Sequence, residues 1–172
     1  MNTEQQKIEY KSLQKIRTGE KGFKELSTTC VALANAQGGQ IMIGVEDKTK
    51  KPASNQVISQ EEANSAVTRL RGLCFNVGLA VGDVCADETG SQYFAITVFP
   101  SLHSYATTSD GKMYIRVADK CEPVRSEDIQ RVGEEKGAFQ WELVPTRFEL
   151  EDENKTNLSK FANDIRQSDR VK

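Results

Sequence analysis

The sequence has few of the residues on which several common kinds of site depend. Its 172 residues include a single histidine, His103. The four cysteines, Cys30, Cys74, Cys85 and Cys121, form no Cys-x-x-Cys pair and have no histidine close by in the sequence. That spacing excludes a zinc finger or zinc ribbon. Cys30 and Cys74 fall on apolar helix faces, so we expect small buried thiols there.

Long apolar runs and an excess of one charge are absent as well. No run of about 18 apolar residues occurs, as a membrane span requires, and the polar first residues lack the apolar segment of a signal peptide. We therefore expect a cytoplasmic protein with no membrane contact. The net charge of −2 gives no support for nucleic-acid binding by the whole chain, but leaves room for a local basic patch. Neither a G-x4-G-K-[ST] loop nor a G-x-G-x-x-G loop is present.

The most informative segment is a helix, a turn and a strand near the N-terminus. Apolar residues recur there at helical spacing, which predicts an amphipathic helix: Phe23, Leu26, Cys30 and Leu33. Gly38 and Gly39 end the helix, since glycine accepts the positive φ of a helix terminus. The apolar run Ile41–Val45 predicts a well-buried strand. It ends in two carboxylates, Glu46 and Asp47, at a position where functional groups are common.

The remaining pattern predicts an α+β domain with a mixed β-sheet flanked by helices. An opening strand, Lys7–Leu13, would place Ile8 and Tyr10 on one face and the neighbouring charged residues on the other. The other predicted elements are a helix over 60–74 opened by a capping box at Ser59, strands Leu79–Cys85, Tyr93–Phe99 and Met113–Val117, a short helix at 127–134, a strand at 139–144 and a helix at 158–165. We predict one domain over 1–135. Residues 136–172 would be a C-terminal strand, an acidic linker and a helix leading to a further region.

Three segments of the chain resemble the Schlafen AlbA-type domain, also called the divergent AAA or DNA-binding domain of bacterial transcriptional regulators. Ala34–Gly39 running into Ile43–Asp47 is similar to its most specific motif. Glu4–Lys11 resembles its E-x4-E-[FY]-K opening, and Met113–Val117 resembles its arginine-bearing strand. The resemblance implies an α+β fold, binding to DNA or RNA, and a place at the N-terminus of a transcriptional regulator.

The resemblance also implies a candidate catalytic site. In eukaryotic relatives the domain can act as an endoribonuclease, and its three carboxylates correspond to Glu4, Glu9 and Asp47 here. Such a set could hold Mg²⁺ or Mn²⁺, which would be the cofactor of a nuclease. The alternative is that these are solvated surface carboxylates. In a continuous strand Glu4 and Glu9 would point to opposite faces, so they converge only if the chain bends between them.

Basic residues around the same segments are the candidates for phosphate contacts, because lysine and arginine bind phosphates with little dependence on sequence. We predict this role for Lys11, Lys15, Lys24, Lys48, Lys50, Lys51 and Arg116. Tyr10 and Tyr114 could stack on bases, although tyrosines on strands more often belong to a core.

The favoured interpretation is therefore a nucleic-acid-binding module without enzymatic activity. Because eukaryotic relatives join two such lobes, a homodimer is predicted as the single-lobed equivalent. The alternatives are a metal-dependent endoribonuclease and an interaction module that docks an ATPase-like region.

Overall fold

The computed structural model of the protein describes residues 7–135 and 159–164. The chain divides into two compact units, Met1–Phe139 and Gln140–Lys172. In the second unit the described part is helical, over residues 159–164, and its side chains are exposed. The strand predicted at 139–144 and the ends of the helix predicted at 158–165 lie outside the described residues. The domain boundary at residue 135 stays a prediction.

A mixed sheet forms the centre of the first unit. Its strands are β1 (Ile8–Lys11), β2 (Gly39–Ile43), β4 (Gly78–Val81), β5 (Cys85–Ala86) and β6 (Gln92–Phe99). They follow the spatial order β1–β2–β6–β4, and β5 also pairs with β6. β1 runs parallel to β2, whereas the other pairs are antiparallel. Two small antiparallel pairs complete the described strands: β3 (Cys74–Phe75) with β7 (Thr107–Thr108), and β8 (Tyr114–Val117) with β9 (Lys120–Pro123).

The described helices of this unit differ greatly in length. They are α1 (Gln14–Arg17), α2 (Glu20–Asn35), α3 (Gln60–Arg71) and α4 (Ile129–Glu135), with a 3₁₀ turn, Ser126–Asp128, before α4. The Ser59 hydroxyl accepts a hydrogen bond from the Glu62 backbone N–H at 3.1 Å, which confirms the predicted cap of α3. None of the helices in the described ranges combines the length and the apolar character that a bilayer crossing needs.

The core lies between one face of the sheet and helices α2 and α3. Alternation along the strands turns the same face of β2 and β6 inward. Its fully buried side chains include Ile41, Ile43, Phe94 and Ile96 from the sheet, Leu26 and Leu33 from α2, and Val67 and Leu70 from α3. Each such side chain contributes about 1.5–3 kcal/mol to folding. The predicted buried thiols, Cys30 and Cys74, belong to this core.

A buried amide fixes the end of α2 to distant parts of the chain. The Asn35 Nδ2 donates to the carbonyl oxygens of Ala106 at 2.8 Å and Tyr114 at 3.0 Å. The Asn35 Oδ1 accepts from the Ala106 N–H at 2.9 Å. Gly38 follows with φ +74°, and a Cβ there would lie 2.6 Å from the Val98 carbonyl oxygen. The motif between α2 and β2 is therefore first of all a structural connection.

The fold class predicted from the sequence is confirmed, but several boundaries differ. β2 covers Gly39–Ile43 rather than Ile41–Val45, because Gly44 has φ +91° and interrupts the strand. Val45 instead makes an isolated bridge to Pro52. Neither α1, which lies between the predicted opening strand and the first predicted helix, nor β9 was predicted.

Candidate nucleic-acid interface

The carboxyl ends of β1 and β2 meet at one edge of the sheet because the two strands are parallel. The Gly44 N–H donates to the Lys11 carbonyl oxygen at 2.8 Å and joins the two ends. The chain then forms a loop over residues 46–51, which we call the tip loop. The Glu46 N–H donates to the Lys51 carbonyl oxygen at 3.0 Å and closes it. This geometry places the lysines of the tip loop beside the end of β1.

Lys50 connects the tip loop to the face of β1 that carries Tyr10. Its Nζ lies 2.6 Å from the Asp47 Oδ1 and 4.2 Å from the centroid of the Tyr10 ring. The Asp47 side chain is 77% exposed. The hydrogen bond and charge of Lys50, with a smaller effect from Lys11, hold the pKa of Asp47 below its ordinary value. Asp47 is thus an ionised, solvated carboxylate already paired with a lysine.

Glu9 points to the opposite face of β1 and carries two ion pairs. Its Oε1 lies 2.7 Å from the Lys11 Nζ, and its Oε2 lies 2.6 Å from the Arg116 Nη2. The Arg116 side chain is only 5% exposed. Burial opposes its charge, but the hydrogen bonds to Glu9 and to the Cys121 sulfur raise the pKa of Arg116 above its ordinary value. The Arg116 Nε is buried with no hydrogen-bond partner among the described residues.

A groove of about 440 Å³ lies beside this ion-pair cluster. One wall is α2, with Glu25 and Thr29, and the other is the β8–β9 hairpin, with Lys120 and Glu122. Groups of both signs therefore line the groove. Because its charges are mixed, the groove is not a continuous positive channel.

The structure places the seven predicted phosphate-binding cations in two different states. Five of them already form ion pairs with carboxylates: Lys11 and Arg116 with Glu9, Lys15 with Glu25, Lys24 with Glu20, and Lys50 with Asp47. Lys48 and Lys51 are exposed and form no ion pair within the described part of the chain. Exposed ion pairs contribute about 0–1 kcal/mol. The exposed Lys24 and Lys50 can therefore exchange a carboxylate for a phosphate at little cost, whereas the buried Arg116 cannot.

The predicted metal site is described in part, because Glu4 lies outside the described residues. The two other carboxylates do not fit a metal ion as they stand. A cationic side chain occupies each oxygen of Glu9 and one oxygen of Asp47. Within residues 7–135 and 159–164 no group of three or more His, Cys, Asp or Glu side chains is placed to hold a metal. The metal site and the ribonuclease activity built on it stay predictions.

The pairing of Glu9 with Arg116 was not predicted from the sequence. The two residues are 107 positions apart, yet each belongs to one of the segments that resemble the Schlafen AlbA-type domain. The opposite charges of these two residues were the sequence signal from which the pairing could have been predicted. For Lys120 and Glu122 there was none, since β9 is short, polar and ends in Pro123.

The mixed sheet, its helices on the core side and the connection at Asn35 define an α+β domain of the AlbA-like class. The family described as Schlafen, AlbA_2 matches residues 4–125, and the chain belongs to this family. Among solved structures, the crystal structure of the DIP2311 protein from Corynebacterium diphtheriae is similar, with a TM-score of 0.58 and 20% identity over 92% of this chain. The match spans 33% of the DIP2311 chain, and at this identity it shows the fold alone. No curated protein matches the chain.

Proposed function

We propose that the chain is the nucleic-acid-binding domain of a transcriptional regulator and that it contacts phosphates through lysines at the carboxyl ends of β1 and β2. The observation that carries the proposal is the position of the tip loop, which is hydrogen-bonded at its base and set beside the end of β1. Membership of the Schlafen, AlbA_2 family supports the same conclusion. A cytoplasmic location and a homodimer belong to this proposal as well.

The phosphate contacts would come first from Lys48 and Lys51, which form no ion pair at contact distance among the described residues, although a side-chain hydrogen bond and, to a smaller extent, the charge of Lys51 lower the pKa of Asp87. Lys50 and Lys11 would join them by leaving their carboxylate partners. Each phosphate neutralised releases condensed counterions, so affinity falls as salt rises. Because the net charge of the chain is −2, long-range attraction of a polyanion is weak and local contacts dominate.

The test compares the salt dependence of binding in two variants with the same change of charge. Lys48→Gln/Lys51→Gln should reduce the slope of log K against log salt concentration by about 1.4–1.8, since each contact contributes about 0.7–0.9. Lys112→Gln/Arg125→Gln removes two exposed cations outside the tip loop and should leave the slope unchanged. Fluorescence anisotropy with a labelled oligonucleotide measures both. Equal slopes in the two variants would refute a phosphate site at the tip loop.

A further inference from the structure

We propose that the face of the sheet opposite the core binds single-stranded nucleic acid, with bases lying on the strands and phosphates passing over the tip loop. This inference rests on the proposed function and adds to it the form of the ligand and a second surface. We call this surface the open face. Its side chains, given by strand alternation, are Ile8 and Tyr10 of β1, Gln40 and Met42 of β2, Ala80 of β4, Cys85 of β5, and Tyr93, Ala95, Thr97 and Phe99 of β6.

The open face is distinguished by its lack of charge. None of its ten side chains belongs to aspartate, glutamate, lysine, arginine or histidine, although the sequence as a whole is 28% charged. None belongs to the core formed by the described residues. A duplex hides its bases and presents phosphates, for which an uncharged face offers no partner. A single strand presents flat, uncharged bases that stack on aromatic side chains.

Two aromatic side chains stand at opposite corners of the open face. Tyr10 lies on the edge strand, and its ring accepts the Lys50 ammonium at 4.2 Å, so the ring is accessible from the open side. Phe99 is 51% exposed. A Cβ on Gly78 would lie 3.2 Å from the Phe99 Cβ, so Phe99 covers a position with no side chain of its own. A base could take the place of the Lys50 ammonium, which would then be free to meet the adjoining phosphate.

Register gives the separation of these two corners. Tyr10 is paired with Met42, and Met42 with Ala95, so Tyr10 and Phe99 lie two strand spacings and four residues apart. At about 4.8 Å per strand and about 3.3 Å per residue this is about 16 Å. Gln40 and Thr97 are paired between the two corners and offer hydrogen bonds to base edges. The open face therefore has room for a short run of nucleotides.

Size argues against a second copy of the chain as the occupant. Four strands span about 14 Å, and the seven residues Tyr93–Phe99 of β6 span about 23 Å, which gives an area of about 320 Å². A stable protein–protein interface needs about 800 Å² on each partner. A patch of this area suits a few stacked bases better than another folded domain.

The test uses two exposed phenylalanines as a matched pair. Phe99 is 51% exposed on the open face, whereas Phe75 is 57% exposed on β3, which is not part of the main sheet. Because stacking on one base contributes about 1–3 kcal/mol, Phe99→Ala should weaken binding of a labelled thymidine oligonucleotide of about eight nucleotides by at least about fivefold. Phe75→Ala should leave it unchanged. Tyr10→Phe should retain affinity and Tyr10→Leu should lose it, because leucine keeps the bulk without the flat ring.

The outcomes separate this inference from the proposed function. Equal affinity of the Phe99→Ala and Phe75→Ala variants would overturn the open-face site, even if the tip-loop lysines still set the salt dependence. Tighter binding of a duplex than of the single strand would also overturn it. If light scattering showed that Phe99→Ala dissociates a dimer without changing single-strand affinity, a second copy would be the occupant and the inference would be wrong. Failure of the unmodified protein to bind any oligonucleotide at low salt would instead refute the proposed function.

Discussion

Glu9 and Asp47 belong to the same predicted carboxylate set, but their surroundings give them different physical roles. Alternation along β1 turns Glu9 toward the helices, where it neutralises the buried Arg116 guanidinium. Asp47 is exposed to solvent near the start of the tip loop and pairs with Lys50. Removing a charge from a buried pair leaves its partner uncompensated, whereas removing one from an exposed pair costs little.

Glu9→Gln should therefore lower the free energy of unfolding by about 2 kcal/mol, because the Arg116 side chain, which is only 5% exposed, loses its charged partner. Asp47→Asn should change it by less than about 0.5 kcal/mol. Urea unfolding followed by circular dichroism measures both values. Equal effects would show that Arg116 does not depend on Glu9. The comparison also indicates which variant suits a cleavage assay with Mn²⁺, since only Asp47→Asn is expected to leave the fold intact.

Asn35 shows which contacts of a single residue a sequence motif can predict and which it cannot. The sequence placed Asn35 at the end of a helix, before the glycines that terminate it. Its partners, Ala106 and Tyr114, are 71 and 79 residues away, and no local pattern identifies them. Periodicity reports on neighbours along the chain, so a contact of this range becomes visible only when the fold brings the segments together.

Among the elements, α1 and α3 illustrate why some segments were predicted and others were not. α3 carries a capping box and an apolar stripe over three turns, and both signals are local. α1 has four residues, which is too short to be stable on its own or to show a period. A forked contact ties it to α3: the Arg17 Nε and Nη2 donate to the two oxygens of Glu62 at 2.8 and 3.0 Å. Such a short helix depends on its tertiary contacts.

The Arg17–Glu62 contact should make stability depend on pH. The hydrogen bond from Arg17 lowers the pKa of Glu62 in the folded state from its ordinary value of 4.5. A lowered pKa means that the contribution is complete above pH 4.5 and is lost as the pH falls through the folded-state value. Arg17→Gln should therefore destabilise the protein by about 0.5–1 kcal/mol at neutral pH. The part of that difference due to the ion pair should disappear in acid, once the pH is below the lowered folded-state pKa and Glu62 is protonated in both states.

Arg71→Gln is the matched control for the acid titration, because the Arg71 Nη2 donates to the uncharged Leu79 carbonyl oxygen at 2.8 Å. The Arg71→Gln effect should be the same at both pH values. Urea unfolding at each pH provides the comparison. If the whole Arg17→Gln effect persisted in acid, its source would be packing of α1 and the hydrogen bond from the Arg17 Nη2 to the Val57 carbonyl oxygen at 3.0 Å rather than the ion pair.

For the whole molecule, the α+β class followed from the order of helical and strand patterns, each of which is a local property. The distribution of charge on the surface could not be predicted from local patterns in this way. A cluster of lysines in the sequence predicted a basic surface, but five of the seven cations pair with carboxylates. Three of these pairs form within one element, whereas folding brings Glu25 against Lys15 and Glu9 against Arg116 from other elements. Strand pairing and helix packing decide the long-range pairs, so the surface potential cannot be predicted in full from a local charge count.

The extent of the folding unit is the property of the whole chain that the structure makes testable. The buried apolar side chains of the described residues run from Leu13 to Val132, and the family match ends at residue 125. We predict that a chain ending at residue 135 unfolds cooperatively, with a melting temperature within about 3 °C of the full chain, and keeps its affinity for single strands. A chain ending at residue 125 would lose Val132 and the hydrogen bond from the Tyr105 hydroxyl to the Ile129 carbonyl at 2.9 Å. The melting temperature of this shorter chain should fall by at least about 5 °C. Thermal unfolding followed by circular dichroism measures both chains. Equal melting temperatures would instead place the boundary at the end of the family match.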